Sequence, residues 1–427
     1  MTSAPTGRTE ADALARDAGD PLSRFRERFL LPDGPTASGG VHPAIYLAGQ
    51  SLGLQATTVR GLVEAQLDRW AQLGVEGHFA ADGPWFTYDE TVREPMARIV
   101  GAVPSEVAIL NTLTVNLHLL LASFFQPSGA RRKILTDAPL FPSDRHALAS
   151  HLAFRGLDPV ADLVVVAPRD GEDILRLEDL EAAITEHGPT IALALFDGVN
   201  FATGQALPIG RLTAAAHGIG AMVGWQLAHA AGNLPLVLHD DEVDFAVWCT
   251  YKYLNGGPGS VGSIFIHDRH TRPDSTIPRL TGWWGATPEH RFDPSGPFVA
   301  DEGAAGWKMS TAPLFNIVPL AASLAIFDEV GMPALRERSI RLTGYLAEIV
   351  EDLGIEVMTP LDPASRGAQL SLRFVDATAV LAEMERRGVI ADFRAPDIIR
   401  LAPIPLYNSF HELWRLGQIL RGVVKAG

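Results

Sequence analysis

From about Arg131 onward, short apolar runs rich in β-formers alternate with stretches of helical spacing. The runs KILTDA, DLVVVAP, IALALF, AMVGW, VDFAVW and SIFIH are apolar on both faces, and segments such as Leu177 to His187 and Ile209 to Gly218 lie between them. This alternation predicts βαβ units around a mainly parallel sheet that is covered on both sides. Ligands of such sheets sit beyond the carboxyl ends of the strands. A long helical region from Pro319 through Leu353 is interrupted near Gly331. After it come LSLRFV, a helix around Ala377 to Arg387, VIADFR, IIRLAP and a last helix to Val424, a pattern that predicts a small α+β lobe. The Pro- and Gly-rich stretch from Asp293 to Gly306 reads as a loop. The longest apolar run, Leu117 to Phe125, falls far short of the roughly 18 residues a bilayer span needs and reads as a buried helix.

Composition adds bounds to this picture. With 427 residues, 47% hydrophobic and 20% charged, the chain can fill one large core and is expected to carry a second, smaller one. The net charge of −15 argues against nucleic acid or an anionic membrane as the main partner. A single cysteine, Cys249, excludes an intrachain disulfide and a cysteine-built zinc site, and is compatible with a reducing cytoplasm. The 13 histidines show no His-Glu-x-x-His spacing, so no metal is expected. Residues 1–20 mix charges of both signs without an apolar stretch, which predicts a loose, flexible start and no signal peptide.

The chemistry centres on Lys252, in Trp248-Cys249-Thr250-Tyr251-Lys252-Tyr253-Leu254-Asn255-Gly256-Gly257-Pro258-Gly259. A lysine at the end of a buried strand loses part of its hydration, which lowers its pKa and frees the amine for attack on a carbonyl. Spacing alone leaves open a solvated lysine at a strand end. That run, together with Val115-Asn116-Leu117-His118-Leu119, Phe141-Pro142-Ser143-Asp144, Thr203-Gly204-Gln205, Leu227-Ala228-His229-Ala230 and Arg400-Leu401-Ala402-Pro403-Ile404-Pro405-Leu406-Tyr407-Asn408, resembles kynureninase. The similarity runs from about Ile45 to the carboxyl terminus.

The resemblance implies an α/β, fold-type I pyridoxal-phosphate enzyme with an aminotransferase-like fold, forming a homodimer with shared active sites. Residues 21–60 would pack with the small domain, 61–325 form the large cofactor-binding domain, and 326–427 form the small domain. It implies hydrolysis of kynurenine to anthranilate and alanine, a step of tryptophan catabolism. Lys252 matches the Schiff-base lysine and Tyr251 a proton donor. Leu113, Thr114 and Ser143 match phosphate and cofactor contacts, as does Trp283. Phe141 matches the aromatic stacked on the cofactor ring, and Asp144 and His229 match its polar neighbours. Arg400 matches the arginine that clamps the amino-acid carboxylate, a task suited to a planar bidentate donor. His78 matches a position facing the substrate ring. Taken alone, Thr114 reads as a helix cap, Trp283 as a packing residue, His229 as a satisfied buried histidine and Arg400 as a surface ion pair.

Several positions depart from the resemblance. Gln226 stands where the family carries the Asp that pairs with the pyridine nitrogen. Exchanging a charge-assisted hydrogen bond for a neutral one is expected to cost that ring roughly one unit of pKa or more, making it a weaker electron sink. Gln50 replaces an Asn, Asp197 stands where a small residue is usual, and Ala202 replaces a Tyr. Ala286 replaces a His, and Thr311 replaces an Asn that contacts the aromatic end of the substrate. Asp197 reads as a loop carboxylate facing solvent, with a compensating charge near the ring as the alternative. Two further functions stay open on these grounds: another pyridoxal-phosphate reaction on a related amino acid, and an inactive binding protein that keeps the fold.

Overall fold

The computed structural model describes residues 8–35, 40–272 and 274–424. The expected loose start therefore falls partly outside the described residues, at positions 1–7. From Glu10 to Ala18 the chain instead forms a helix, α1, capped by the Thr9 side chain, which accepts from the Asp12 N–H. The expectation of a flexible stretch up to residue 20 is corrected for this part. α1 buries a single apolar residue, Ala13, so no hydrophobic stripe announces it. Carboxylates hold it down: Asp17 accepts from the N–H groups of Phe410 and His411 at 2.8 and 2.9 Å, and just beyond the helix Asp20 pairs with the buried Arg338 at 2.5 Å.

Seven strands form the central sheet: β1 (Val107–Leu110), β2 (Lys133–Asp137), β3 (Leu163–Val166), β4 (Ile191–Asp197), β5 (Met222–Gln226), β6 (Phe245–Cys249) and β7 (Gly262–Ile266). Their order is β1-β7-β6-β5-β4-β2-β3, with β7 antiparallel to both neighbours and the other pairs parallel. All seven residues of β4 and all five of β6 are buried, as strands packed on both faces require. Helix α2 (Leu113–Phe124) follows β1 and buries Leu117, Leu120, Leu121 and Phe124 at helical spacing. Helix α3 (Pro142–Phe154) follows β2, with Pro142 at its first position, where the missing N–H costs nothing.

Helices α4 (Leu314–Val330) and α5 (Met332–Asp352) meet at 85°. The bend falls on Gly331, whose φ of +81° is open to glycine and costly for other residues. Met332 and Leu335 still pack in the core of the large sheet, whereas Leu342 and later residues of α5 pack in a second core. That core lies against an antiparallel sheet of β8 (Glu356–Val357), β9 (Leu370–Arg373), β10 (Asp392–Arg394) and β11 (Ile398–Leu401), in the order β8-β9-β11-β10, and against α6 (Phe410–Val424). The segment 21–60 serves both cores. Ile45 and Leu47 pack with the small one, while Phe25, Phe29 and Leu54 pack with the large one. Among the described residues no single helix is long and apolar enough to cross a membrane.

Candidate active site

The carboxyl ends of four strands meet at one place. Asp137, Asp197, Gln226 and Cys249 are the last residues of β2, β4, β5 and β6, and Lys252 lies three residues beyond Cys249. Lys252 Nζ is 2.9 Å from His229 Nε2 and 5.8 Å from the centre of the Phe141 ring. Burial holds the lysine below its ordinary pKa. His229 is pushed well below its own, first by burial and then by the charges of Lys252 and Arg400, so it is a neutral imidazole that accepts from the lysine. Tyr251 is pushed far up by burial and stays a protonated phenol. A cavity of about 140 Å³ opens above these groups, bounded also by Gln50, Ser51, Phe141, Phe201, Arg394 and Arg400.

An anion cradle lies nearby. Leu113 and Thr114 open α2, Ser143 lies in the first turn of α3, and the hydroxyls of Thr114 and Ser143 are 2.7 Å apart. Two helix N-termini thus bring unpaired N–H groups and two hydroxyls together, an arrangement suited to a phosphate. Gly262 lets β7 pass beneath: a Cβ there would come within 2.8 Å of Asn116 Nδ2 and 3.2 Å of the Leu113 nitrogen.

Asp144, from α3, accepts from Gln226 Nε2 at 2.9 Å and is buried. Asp197 does not face solvent. It is 4% exposed and lies opposite Gln226 in register, which corrects the reading of a solvated loop carboxylate. Asp137 completes a buried acidic group that spacing in the sequence did not reveal, its Oδ1 accepting from the Asp197 N–H at 2.9 Å.

On the other wall, Arg400 is 1% exposed and is no surface ion pair. Asp392 receives its Nε at 3.0 Å and its Nη2 at 2.8 Å, and the Phe201 carbonyl accepts its Nη1 at 2.6 Å. Arg394 joins it at the cavity, with a buried Nε that makes no hydrogen bond. The sequence reading missed Arg394, Asp392 and Phe201. The only signal was the DFR run, which reads first as a strand.

His78, Trp283 and Thr311 do not line this cavity. His78 packs edge-on against Trp85, with ring centres 5.4 Å apart, and Trp283 is 42% exposed beside Trp284 and Phe292. A separate cluster, Glu106, His239 and His267, offers one oxygen and two nitrogens within 4.8 Å. Its two imidazoles stack at 4.9 Å and 23°, and Glu106 Oε1 accepts from His239 at 2.9 Å and from the Asp268 N–H, with His267 Nδ1 3.6 Å away.

The residues at the strand ends fit pyridoxal phosphate. A buried amine, a phosphate cradle and an aromatic wall are present, and Asp144 Oδ1, His229 Nδ1 and both amide atoms of Gln50 are buried without hydrogen-bond partners. Among solved structures, the cystine C–S lyase C-DES in complex with its reaction product cysteine persulfide is 19% identical, with a TM-score of 0.75 over 88% of this chain and 97% of that one. The apo cysteine desulfurase of Thermococcus onnurineus NA1 is 16% identical, with a TM-score of 0.72 over 90% and 95%. Fold and site together define a pyridoxal-phosphate enzyme of fold type I. A family model described as the kynureninase C-terminal domain matches residues 335–420. Curated proteins named kynureninase from Xanthomonas campestris pv. campestris (strain B100) and Myxococcus xanthus (strain DK1622) are each 47% identical, over 97% of this chain and 98% and 97% of their own lengths. The chain belongs to the kynureninase family.

Proposed function

We propose that the enzyme hydrolyses the Cβ–Cγ bond of kynurenine, or of a ring-substituted kynurenine, to an anthranilate and alanine. The observation that carries this is the cavity itself, where the amine of Lys252, held below its ordinary pKa by burial, and the phenol of Tyr251 face the buried Arg400 and the partly exposed Arg394. Bound pyridoxal phosphate supplies the electron sink for bonds broken at the amino-acid carbons. Lys252 holds the cofactor and moves the α-proton, its amine kept available by burial and by the neutral His229. Tyr251, protonated at working pH, donates to the carbon left by cleavage. Arg400, its fork fixed by Asp392, and Arg394 hold the substrate carboxylate. Thr114, Ser143 and the two helix N-termini would hold the phosphate, and Phe141 would supply an aromatic wall for the ring.

The same reading makes the active enzyme a homodimer. Phe79, Trp283 and Phe292 are 61, 42 and 64% exposed and belong to one aromatic run with Phe86 and Trp284, a patch of the kind that marks an interface. A second copy would bring His78, Trp283 and Thr311 toward the partner's Lys252. Incubation of the cofactor-loaded enzyme with kynurenine and with 3-hydroxykynurenine tests the activity. Equal amounts of alanine and the matching anthranilate are expected, and no release from either substrate would sink the proposal.

A further inference from the structure

Gln226 lies where the pyridoxal-phosphate reading places the cofactor's ring nitrogen, and its amide has a single workable orientation. Nε2 donates to Asp144 Oδ2 at 2.9 Å, and Oε1 accepts from the Ala228 N–H at 2.6 Å. Turned over, the amide would set its oxygen against a carboxylate and its NH₂ against an N–H, and both bonds would be lost. An amide oxygen has two lone pairs, of which one is used. Gln226 thus keeps one lone pair on Oε1 and one N–H on Nε2 unused, so it can accept from a protonated ring nitrogen or donate to a bare one, and the charges around it decide between the two.

Countercharge for such a proton is close by. β4 and β5 are parallel neighbours with Asp197 opposite Gln226, so the two side chains leave the same face of the sheet from backbones ~4.8 Å apart. Asp144 approaches from α3 and keeps a buried oxygen, Oδ1, without any hydrogen bond. Asp137 binds the Asp197 N–H from the other side. The cation facing Asp144 and Asp197 is Lys252, which in turn faces His229 and Arg400, while Asp137 faces Asp144, Asp197 and the Asn200 side chain. Three buried carboxylates beside one lysine cannot all ionise. Burial, then mutual repulsion, pushes Asp197 well up. Burial raises Asp144 and pushes Asp137 up to about 6. With Lys252 as the cation beside them, these carboxyls favour holding protons in common until a further cation enters.

We propose that Asp144 and Asp197 keep the ring nitrogen protonated, since a cationic ring lets these carboxyls give up the protons they otherwise hold and face it as countercharge, and that Gln226 is the positioning residue whose carbonyl oxygen accepts the ring N–H. The proposal rests on the pyridoxal-phosphate reading of the site. It departs from the expectation that a neutral residue at position 226 leaves the ring less protonated: the charge sits one residue further out.

Enzyme reconstituted with cofactor carrying a nitrogen-15 label in the ring reports that proton directly by NMR. The wild type at neutral pH should give the protonated-ring signal. Asp144→Asn and Asp197→Asn should each move the ratio of protonated to neutral ring toward neutral by about tenfold, the equivalent of one pKa unit. A neutral ring in the wild type, or an unchanged ratio in both variants, overturns the proposal. The apoprotein supplies a reading that needs no cofactor. Carboxyls whose folded pKa is raised contribute stability that is present below their ordinary value of 3.8 and is lost as pH rises through about 6. Tm of the apoprotein should fall across that range and fall less in Asp197→Asn, and equal slopes would overturn the sharing of protons. Absence of any label fixed to Lys252 by borohydride would give no ring signal at all. That outcome overturns the pyridoxal-phosphate reading and the proposal with it, and is distinct from a neutral-ring signal.

Discussion

At the scale of single residues, burial sets the direction in which the ionisable groups of the site are shifted. Lys252 and His229 are driven toward neutrality by burial, and Tyr251 is kept protonated by it. Arg400 is held at the cavity wall by Asp392, which takes its Nε and Nη2 N–H groups in a fork, and by the Phe201 carbonyl and the Ser51 hydroxyl, which accept from Nη1 and Nη2. The phosphate cradle is the part most open to a simple test. Thr114 lies inside the first turn of α2 and not at its cap, which is Thr112, so Thr114→Ala leaves the helix intact. A hydrogen bond to a charged group is worth about 1.5–3 kcal/mol, so cofactor affinity should weaken by roughly ten- to a hundredfold. Titration of the apoprotein with pyridoxal phosphate, followed by visible absorbance, measures this. Unchanged affinity would place the phosphate elsewhere.

At the scale of elements, the parts that sequence makes legible are those built on apolar period. The runs over β2 to β7 and the helices Leu177–His187 and Ile209–Gly218 stand out because burial on both faces, or on one stripe, leaves a pattern. β1, with only VAIL, and α1 do not stand out, the first for shortness and the second because carboxylates dock it. In the site, Lys252, Phe141 and His229 are legible through the motifs around them, whereas Asp137 and Asp392 become site residues only through strand register and a partner's guanidinium. The docking of α1 is itself testable. Removing the Asp17 carboxylate strips two N–H groups at the start of α6 of their acceptor, so Asp17→Ala should cost about 1–2 kcal/mol in urea unfolding. A loss below a few tenths would mean that α1 is held by other contacts. Asp20 adds a pH signature. Burial raises its pKa, but the hydrogen bond and charge of Arg338 outweigh this, and the net shift is down. A depressed carboxylate contributes stability that is present above its ordinary value of 3.8 and is lost as pH falls through the lower folded value. Asp20→Asn should therefore destabilise the protein at neutral pH, with the gap to wild type closing in acid below pH 3.8. A constant gap would rule out the ion pair as its source.

At the scale of the whole molecule, one chain holds the amine, the phosphate cradle and the arginines, while His78, Trp283 and Thr311 lie away from its cavity. The exposed aromatic run that includes Trp283 supplies a reason for two copies to meet there, since burying such rings against a partner removes a large apolar area from water. In a twofold dimer each patch meets the same pair of surfaces, so each copy would complete the site of the other. This arrangement predicts complementation. Lys252→Ala removes the amine and should lower kcat by about 10²–10⁴-fold, as loss of a proton-transfer group does. Trp283→Ala, on the same reading, damages only the site of the partner. When the two inactive variants are unfolded, mixed in equal amounts and refolded, hybrid dimers carry one site with both defects and one with neither. Random pairing makes half of the dimers hybrid, so about a quarter of native activity should return. Activity no greater than that of the separately refolded variants would show that Trp283 serves the Lys252 of its own chain.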